Sequence, residues 1–236
     1  MAATTAPLQR RGRTRLYRTA ALLALAIVLV GFSRTFFLKF LFGAPPPLSL
    51  LTAVHGTIMT TWFVLFIVQT QLVVAGNVRL HRKLGVAGMV LALLVLAAGT
   101  TTALVGARLG HTPGPPPRVF MTVPLGDMVV FAILTGAGFL YRRRSDYHKR
   151  FMVLAFAGMI TAAVARIPGN GNIVLDFAET LLFCAGCIAW DTWRERRLHP
   201  AFAWGFAVVA ISWPLRLWLS GTPAWQAFAA SLGVPG

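Results

Sequence analysis

Basic residues of this chain are concentrated in four short segments that alternate with long apolar stretches. Sixteen of the 22 Lys and Arg residues lie in these segments, within residues 10–18, 79–83, 142–150 and 194–197. A soluble domain spreads charge over its surface and carries about twice the 12% charged fraction found here. The pattern therefore predicts a membrane protein whose basic loops remain on the cytoplasmic side.

The apolar stretches have close to the roughly 20 residues that a helix needs to cross a bilayer. The loops between the other pairs of stretches are rich in Pro and Gly and carry almost no charge. We predict an all-α, seven-transmembrane-helix bundle with a cytoplasmic N-terminus and a periplasmic C-terminus. The predicted spans are Thr19 to Leu41, Leu48 to Ala75, Leu84 to Val105, Val119 to Tyr141, Phe151 to Ile167, Ile173 to Trp190, and Pro200 to Leu219.

This pattern divides the chain into three parts. Residues 1–18 are interpreted as a basic cytoplasmic tail, residues 19–219 as the membrane domain and residues 220–236 as a short periplasmic tail. The expected location is the bacterial inner membrane, with anionic lipid head groups beside the cytoplasmic loops. The net charge of +16 does not predict nucleic-acid binding, because the basic residues recur between spans instead of collecting on one soluble domain.

Ionisable residues inside the predicted spans lie in the outer third of the membrane. Charges in a span are costly, and they usually face the bundle interior or a wet cavity. Three positive and three negative side chains balance in charge, which predicts either a polar pocket open to the periplasm or a structural ion-pair network. A pocket would suit a transporter or receptor for a small polar or anionic solute. The residues are Arg34, His55, Asp127, Arg166, Asp176, Glu179 and Arg216.

The histidines lie at the ends of the predicted spans, where imidazoles can ligate haem iron. His55 and His111 would form an outer pair and His81 and His148 an inner one, giving two haems stacked across the bilayer. Alternatively, His81, His148 and His199 would form a cytoplasmic three-histidine metal site of a type that zinc accepts. A third interpretation places these side chains in the head-group region without a ligand.

Two cysteines, Cys184 and Cys187, form a CxxC sequence inside the predicted sixth span. On a helix they share one face. The spacing suits a redox or metal-binding role, but an apolar setting favours inert thiols.

Two resemblances to known families extend this interpretation. The stretch VHGTIMTTWFVLFIVQTQLVVAGNVRLHRKLG, with the later YHKRFM, RLHPAFAWG and WPLRLWLSGTPAW, resembles a family of uncharacterised bacterial multispanning membrane proteins, from about Thr52 onward. The segment from His55 to Gly85 also resembles, more faintly, the cytochrome b561 type, with a His-Gly, a following Met and Trp, and a His at the next helix start. This resemblance implies haem ligation by His55 and His81 through the motif, and by His148 through its position.

We therefore expect a b-type haem protein that moves electrons across or within the membrane and exchanges them with a redox partner. The candidate haem ligands are His55, His81, His148 and His111, and no separate metal-ion site is predicted. The alternatives are a transporter or receptor for a small polar solute, and a non-catalytic structural or assembly subunit.

Overall fold

Helices form most of the described chain, which comprises residues 6–43 and 47–236 of a computed structural model, with side chains from residue 16 onward. No strand occurs within these ranges. A π-helix covers Ser33–Phe37 and a 3-10 turn covers Gly158–Ile160. The α-helices of these ranges are α1 (Ala6–Gly31), α2 (Lys39–Phe42), α3 (Leu50–Val74), α4 (Val78–Arg108), α5 (Pro117–Phe120), α6 (Thr122–Leu140), α7 (Ser145–Ala157), α8 (Thr161–Val164), α9 (Ile173–Glu195), α10 (Pro200–Ser220) and α11 (Pro223–Ser231).

Five helical stretches among the described residues are long and apolar enough to cross a membrane. They are α3, α4, α9, α10 and the stretch Pro117–Leu140, which contains α5 and α6. A shorter apolar helix, Leu16–Gly31, forms most of α1. The chain is therefore an all-helical protein of the multi-pass membrane class.

The helices extend beyond the predicted spans mainly at their basic ends. α4 begins at Val78 instead of Leu84, because the Asn77 side chain accepts a hydrogen bond from the Leu80 amide and caps the helix. α9 continues past Trp190 to Glu195. Arg and Lys are good helix formers, so a basic segment does not end a helix where the apolar run ends. Residues 1–5 of the predicted basic tail lie outside the described residues, and α1 already begins at Ala6.

The fifth predicted span forms the centre of the bundle. α1, α3, α4, α6, α10 and α9 follow one another around it, each packed against the next. α7 lies inside this ring against α1, α6, α9 and α10, and its Val153, Leu154 and Phe156 side chains are fully buried. The Phe156 ring stacks on Phe66 of α3, with ring centres 4.1 Å apart. The outward faces of the ring expose large apolar residues such as Leu93 and Leu182, as expected of faces that contact lipid.

The antiparallel helix order creates two distinct ends. The N-termini of α4, α7 and α10 lie with the C-termini of α3, α6 and α9 at one end. We call this the basic end, because it carries the clusters around Arg82, Arg143 and Arg196. The other is called the opposite end.

Candidate functional site

Two histidines from different helices lie beside each other at the basic end. His81 is in the first turn of α4, and His148 is in the first turn of α7. Their ring centres are 6.2 Å apart and their ring planes differ by 77°. The structure thus brings together the two residues that the sequence suggested as an inner pair.

The position of His148 follows from the short turn between α6 and α7. Residues 141–144 reverse the chain, so the first turn of α7 lies against the last turns of α6. The His148 Nδ1 atom is 2.7 Å from the carbonyl oxygen of Gly138. A carbonyl only accepts hydrogen bonds, so Nδ1 carries a proton, which in the neutral ring leaves the lone pair on Nε2. Metal-ligating histidines are usually oriented by a second hydrogen bond of this kind.

His81 reaches the site through the tight turn between α3 and α4. Gly76 in this turn has a φ of 75°, a backbone conformation that glycine adopts without strain. The backbone of Gln69 lies beside the His81 ring. Within the described residues, His81 Nδ1 and Gln69 Oε1 are both buried without a hydrogen-bond partner.

The spacing of the two rings fits a metal ion shared between two imidazoles. Metal–nitrogen bonds of about 2 Å on opposite sides of an ion, with roughly 1 Å from each nitrogen to its ring centre, place the ring centres about 6 Å apart. The distance of 6.2 Å in this protein agrees with that value. The ring spacing is thus one that two imidazoles holding a common metal ion would have.

The outer histidine pair suggested by the sequence is not assembled. His55 is half-buried in α3, and its Nδ1 has no hydrogen-bond partner in the described part of the chain. His111 is exposed, because α4 ends at Arg108 and the following loop carries His111 outward. Among the described residues, the ring contacts of histidine are those of His81 with His148 and of His199 with Tyr147.

The three-histidine metal site is not formed either. In the described ranges, no group of three or more His, Cys, Asp or Glu side chains could hold a metal ion. His199 instead packs edge-to-face on Tyr147, with ring centres 4.7 Å apart. Its Nδ1 accepts a hydrogen bond from the Ala201 amide and caps α10. Its Nε2 therefore carries the proton and donates to Asp146 Oδ2 at 3.3 Å.

Two of the charged residues predicted at the opposite end form an ion pair in which Arg216 is buried and Asp127 is half-buried. Arg216 Nη1 of α10 lies 2.6 Å from Asp127 Oδ1 of α6. The same guanidinium donates to the Val123 carbonyl and to Ser212 Oγ. Gly126 makes this approach possible, because a Cβ at this position would overlap the Arg216 side chain. The pair joins two neighbouring helices of the ring.

The other two predicted arginines do not join this pair. The Arg34 side chain is exposed, and its guanidinium lies 5.3 Å from the ring centre of Phe42. The exposed Arg166 guanidinium lies 4.7 Å from the ring centre of Phe32 and donates to a carbonyl of its own helical turn. Both cations contact aromatic faces, an arrangement that stabilises a charge at an interface.

The remaining two acids lie together on α9. Glu179 is exposed and accepts a hydrogen bond from Asn170. Asp176 is buried, and its Oδ1 has no hydrogen-bond partner within the described chain. The residues predicted to form one polar pocket are thus distributed over α3, α6 with α10, α9, and the segments beside α2 and α8, and Asp127 and Arg216 form an ion pair among them.

A buried network of polar side chains at the basic end was not predicted from the sequence. Arg150 donates to Asp191 Oδ2 through Nε at 2.8 Å and Nη2 at 2.7 Å. The Tyr17 hydroxyl lies 3.4 Å from Asp191 Oδ1. Arg150 was counted as a loop cation, but it lies three and four residues before the buried Val153 and Leu154, and so on the same face of α7. That periodicity is the signal that could have found it.

Beside this network is a surface pocket of about 220 Å³. Burial and the nearby Arg150 charge lower the pKa of His199 below its ordinary value, although Asp146 acts in the other direction. His199 is therefore neutral at neutral pH, and its contact with Asp146 is a hydrogen bond of the neutral ring. The pocket is lined by Asp146, Lys149, Arg150, Glu195, Arg197 and His199.

Comparisons of this chain with known protein families, with curated proteins and with solved structures found no match. The chemistry that the basic end offers is two imidazoles from different helices, at the spacing of a shared metal-centred cofactor and beside exposed cations.

Proposed function

We propose that this protein is a b-type haem protein of the bacterial inner membrane that carries electrons at the cytoplasmic end of its helix bundle. The observation that carries the proposal is the His81–His148 pair, with ring centres 6.2 Å apart. The two imidazoles would hold the haem iron. A bound haem b supplies reversible one-electron chemistry.

The proposed topology has seven spans. Five of them are the membrane-length stretches. The other two are α1, with its apolar Leu16–Gly31 part, and the central segment made of α7, the 3-10 turn and α8. The positive-inside rule places the basic end in the cytoplasm, and an odd number of spans then places the C-terminus in the periplasm.

Protein groups around the histidine pair have three tasks in this proposal. The Gly138 carbonyl holds the His148 ring and leaves its Nε2 lone pair available. Arg82 and Lys83 directly follow His81 and are exposed. These two cations would pair with the two carboxylates that haem b carries. Stacking of buried Phe66 on Phe156 holds α3 against α7, the helix that carries His148.

An absorption experiment tests this function. The protein is expressed with ample haem supply, purified in detergent, and recorded oxidised and reduced. The proposal expects a Soret band and sharp reduced α and β bands. His81→Ala and His148→Ala should each remove the low-spin spectrum, because each deletes one axial ligand.

The matched control is His111→Ala, which truncates an exposed loop histidine and should leave the spectrum unchanged. A featureless visible spectrum from folded wild-type protein would contradict haem binding. A spectrum that survives both His81→Ala and His148→Ala would assign the haem to other residues.

A further inference from the structure

The buried face of α9 carries carboxyl, hydroxyl and thiol groups along most of its length, although Phe177, Cys184 and Cys187 also belong to the hydrophobic core. Five polar residues follow one another on this face at intervals of three or four residues, which keeps them on one side of the helix. Each is at most 5% exposed. They are Asp176, Thr180, Cys184, Cys187 and Asp191, and we call them the α9 stripe. Helix packing in a membrane needs small residues, but it does not need a carboxylate at each end of the row.

At the opposite end, the α9 stripe begins with the carboxyl group of Asp176, which accepts a backbone hydrogen bond from Gly171 and has one oxygen without a partner in the described part of the chain. Asp176 is 3% exposed, and its Oδ1 has no hydrogen-bond partner within the described residues. Burial of an ionised carboxylate with an unpaired oxygen is costly, and binding a proton removes that cost. The next member, Thr180, places its hydroxyl 3.1 Å from the Thr161 hydroxyl of α8. The stripe therefore starts with a proton-binding group followed by two hydroxyls.

At the basic end, the α9 stripe finishes in the buried network around Asp191. Asp191 Oδ1 faces the Tyr17 hydroxyl, and Asp191 Oδ2 accepts from Arg150. Arg150 also lines the surface pocket, together with His199 and Asp146. Groups that can exchange protons with water thus lie directly beyond the last member of the stripe.

Between the two ends, the α9 stripe contains only groups that can donate and accept a hydrogen bond. The hydroxyl of Thr180 and the thiols of Cys184 and Cys187 have this property. Neighbours on one helix face have Cβ atoms about 5–6 Å apart, so side-chain rotation and entering water must close each interval. The stripe rises roughly 22 Å, which is most of the hydrocarbon thickness of about 30 Å.

We propose that the α9 stripe is a proton path across the membrane, with Asp176 as its protonation site at the opposite end and the Asp191 network as its exit to the surface pocket. A proton that joins Asp176 is matched by one that leaves at the pocket, so each passage moves one positive charge across the bilayer. No covalent bond changes. The proposal uses none of the haem-ligand candidates and does not depend on haem binding.

Proton flux into vesicles tests the path. Purified full-length protein is reconstituted into liposomes that contain a pH-sensitive dye. Potassium and valinomycin compensate the charge that protons carry, and the external pH is then lowered in one step. Wild-type vesicles should acidify faster than protein-free vesicles. Asp176→Asn removes the protonation site and Thr180→Val removes a hydroxyl at nearly constant volume, and each should reduce the flux to the protein-free rate.

Thr135→Val is the matched control. Thr135 is a buried threonine of α6 whose hydroxyl also lacks a partner in the described chain, but it lies away from the α9 stripe. This variant should keep the wild-type flux. Wild-type flux equal to that of protein-free vesicles would overturn the proposal, and so would an equal loss in Thr135→Val.

Folding of each variant is checked by its elution profile and unfolding temperature before reconstitution. If Asp176→Asn does not fold, Thr180→Val decides the question, because a folded Thr180→Val protein with wild-type flux would overturn the path.

Discussion

Arg150 and Asp191 form a buried ion pair in which Arg150 Nη2 lies 2.7 Å from Asp191 Oδ2. The second oxygen of this carboxylate faces the hydroxyl of Tyr17 at 3.4 Å. Three helices, α7, α9 and α1, therefore meet at one carboxylate. The ion pair and the Tyr17 hydroxyl connect the central helix to two helices of the surrounding ring at the basic end.

Breaking this ion pair on one side should be strongly destabilising. Asp191→Leu leaves the Arg150 charge buried and uncompensated, which costs about 3–5 kcal/mol of unfolding free energy. The double variant Arg150→Met/Asp191→Leu removes both charges and should regain most of that loss. Denaturant unfolding of the purified protein in detergent measures both values. A double variant as unstable as Asp191→Leu would show that the pair does not behave as one buried unit.

Two glycines of α6 should respond in opposite directions to the same substitution. A Cβ at Gly126 would overlap the Arg216 side chain and displace its ion pair with Asp127, so Gly126→Ala should lower the unfolding free energy by about 1–3 kcal/mol. At Gly136 no atom lies within 4 Å of the added methyl. Gly136→Ala should therefore stabilise the helix by up to about 1 kcal/mol.

The unfolding free energies of these two variants are measured side by side against wild type. Equal effects of Gly126→Ala and Gly136→Ala would contradict the close approach of Arg216 to α6.

Stability should fall with acidification in a way that depends on His199. Burial and the Arg150 charge lower the pKa of His199, so the unfolded chain binds a proton at higher pH than the folded protein does. The stabilising contribution is complete above the ordinary histidine pKa of about 6.5 and is lost as pH falls below it. Protonation also removes the Nδ1 acceptor that caps α10.

His199→Asn keeps a capping side chain but cannot titrate. Its unfolding temperature should therefore fall less than that of wild type between about pH 7.5 and about pH 5. His111→Asn, which changes an exposed loop histidine, should retain the wild-type pH dependence. An unchanged pH dependence in His199→Asn would assign the acid sensitivity to another group.

Haem stoichiometry should be one per chain. His81 and His148 lie together, whereas no described histidine ring contacts His55 and His111 is exposed. His55→Ala should therefore retain the full haem content, measured by pyridine haemochrome against protein concentration. Two haems per wild-type chain, with one lost in His55→Ala, would restore the outer pair suggested by the sequence.

The alternation of basic segments and apolar runs was sufficient to predict an all-helical protein of the multi-pass membrane class. The end of the bundle at which each histidine lies could also be read from the sequence, which is why His81 and His148 were suggested as a pair before their proximity was known. Both lie in first turns, where a position along the chain translates directly into a depth.

Lateral arrangement could not be read in this way. Asp127 and Arg216 lie at similar depth to Asp176, but they belong to α6 and α10, whereas Asp176 belongs to α9. Depth alone therefore did not show which of these residues form an ion pair. The position of His111 relative to His55 could not be predicted for a different reason. The direction in which a Pro- and Gly-rich loop carries a side chain is not set by helical periodicity.

Electron paramagnetic resonance of the oxidised, haem-loaded protein tests whether His81 and His148 together hold one haem. The His81 and His148 ring planes differ by 77°. Two imidazoles that are nearly perpendicular on one ferric haem give a strongly anisotropic low-spin signal with a large principal g value. Wild-type protein should give this signal, and His148→Ala should lose it. A high-spin signal in wild type, or an unchanged low-spin signal in His148→Ala, would contradict axial ligation by this pair.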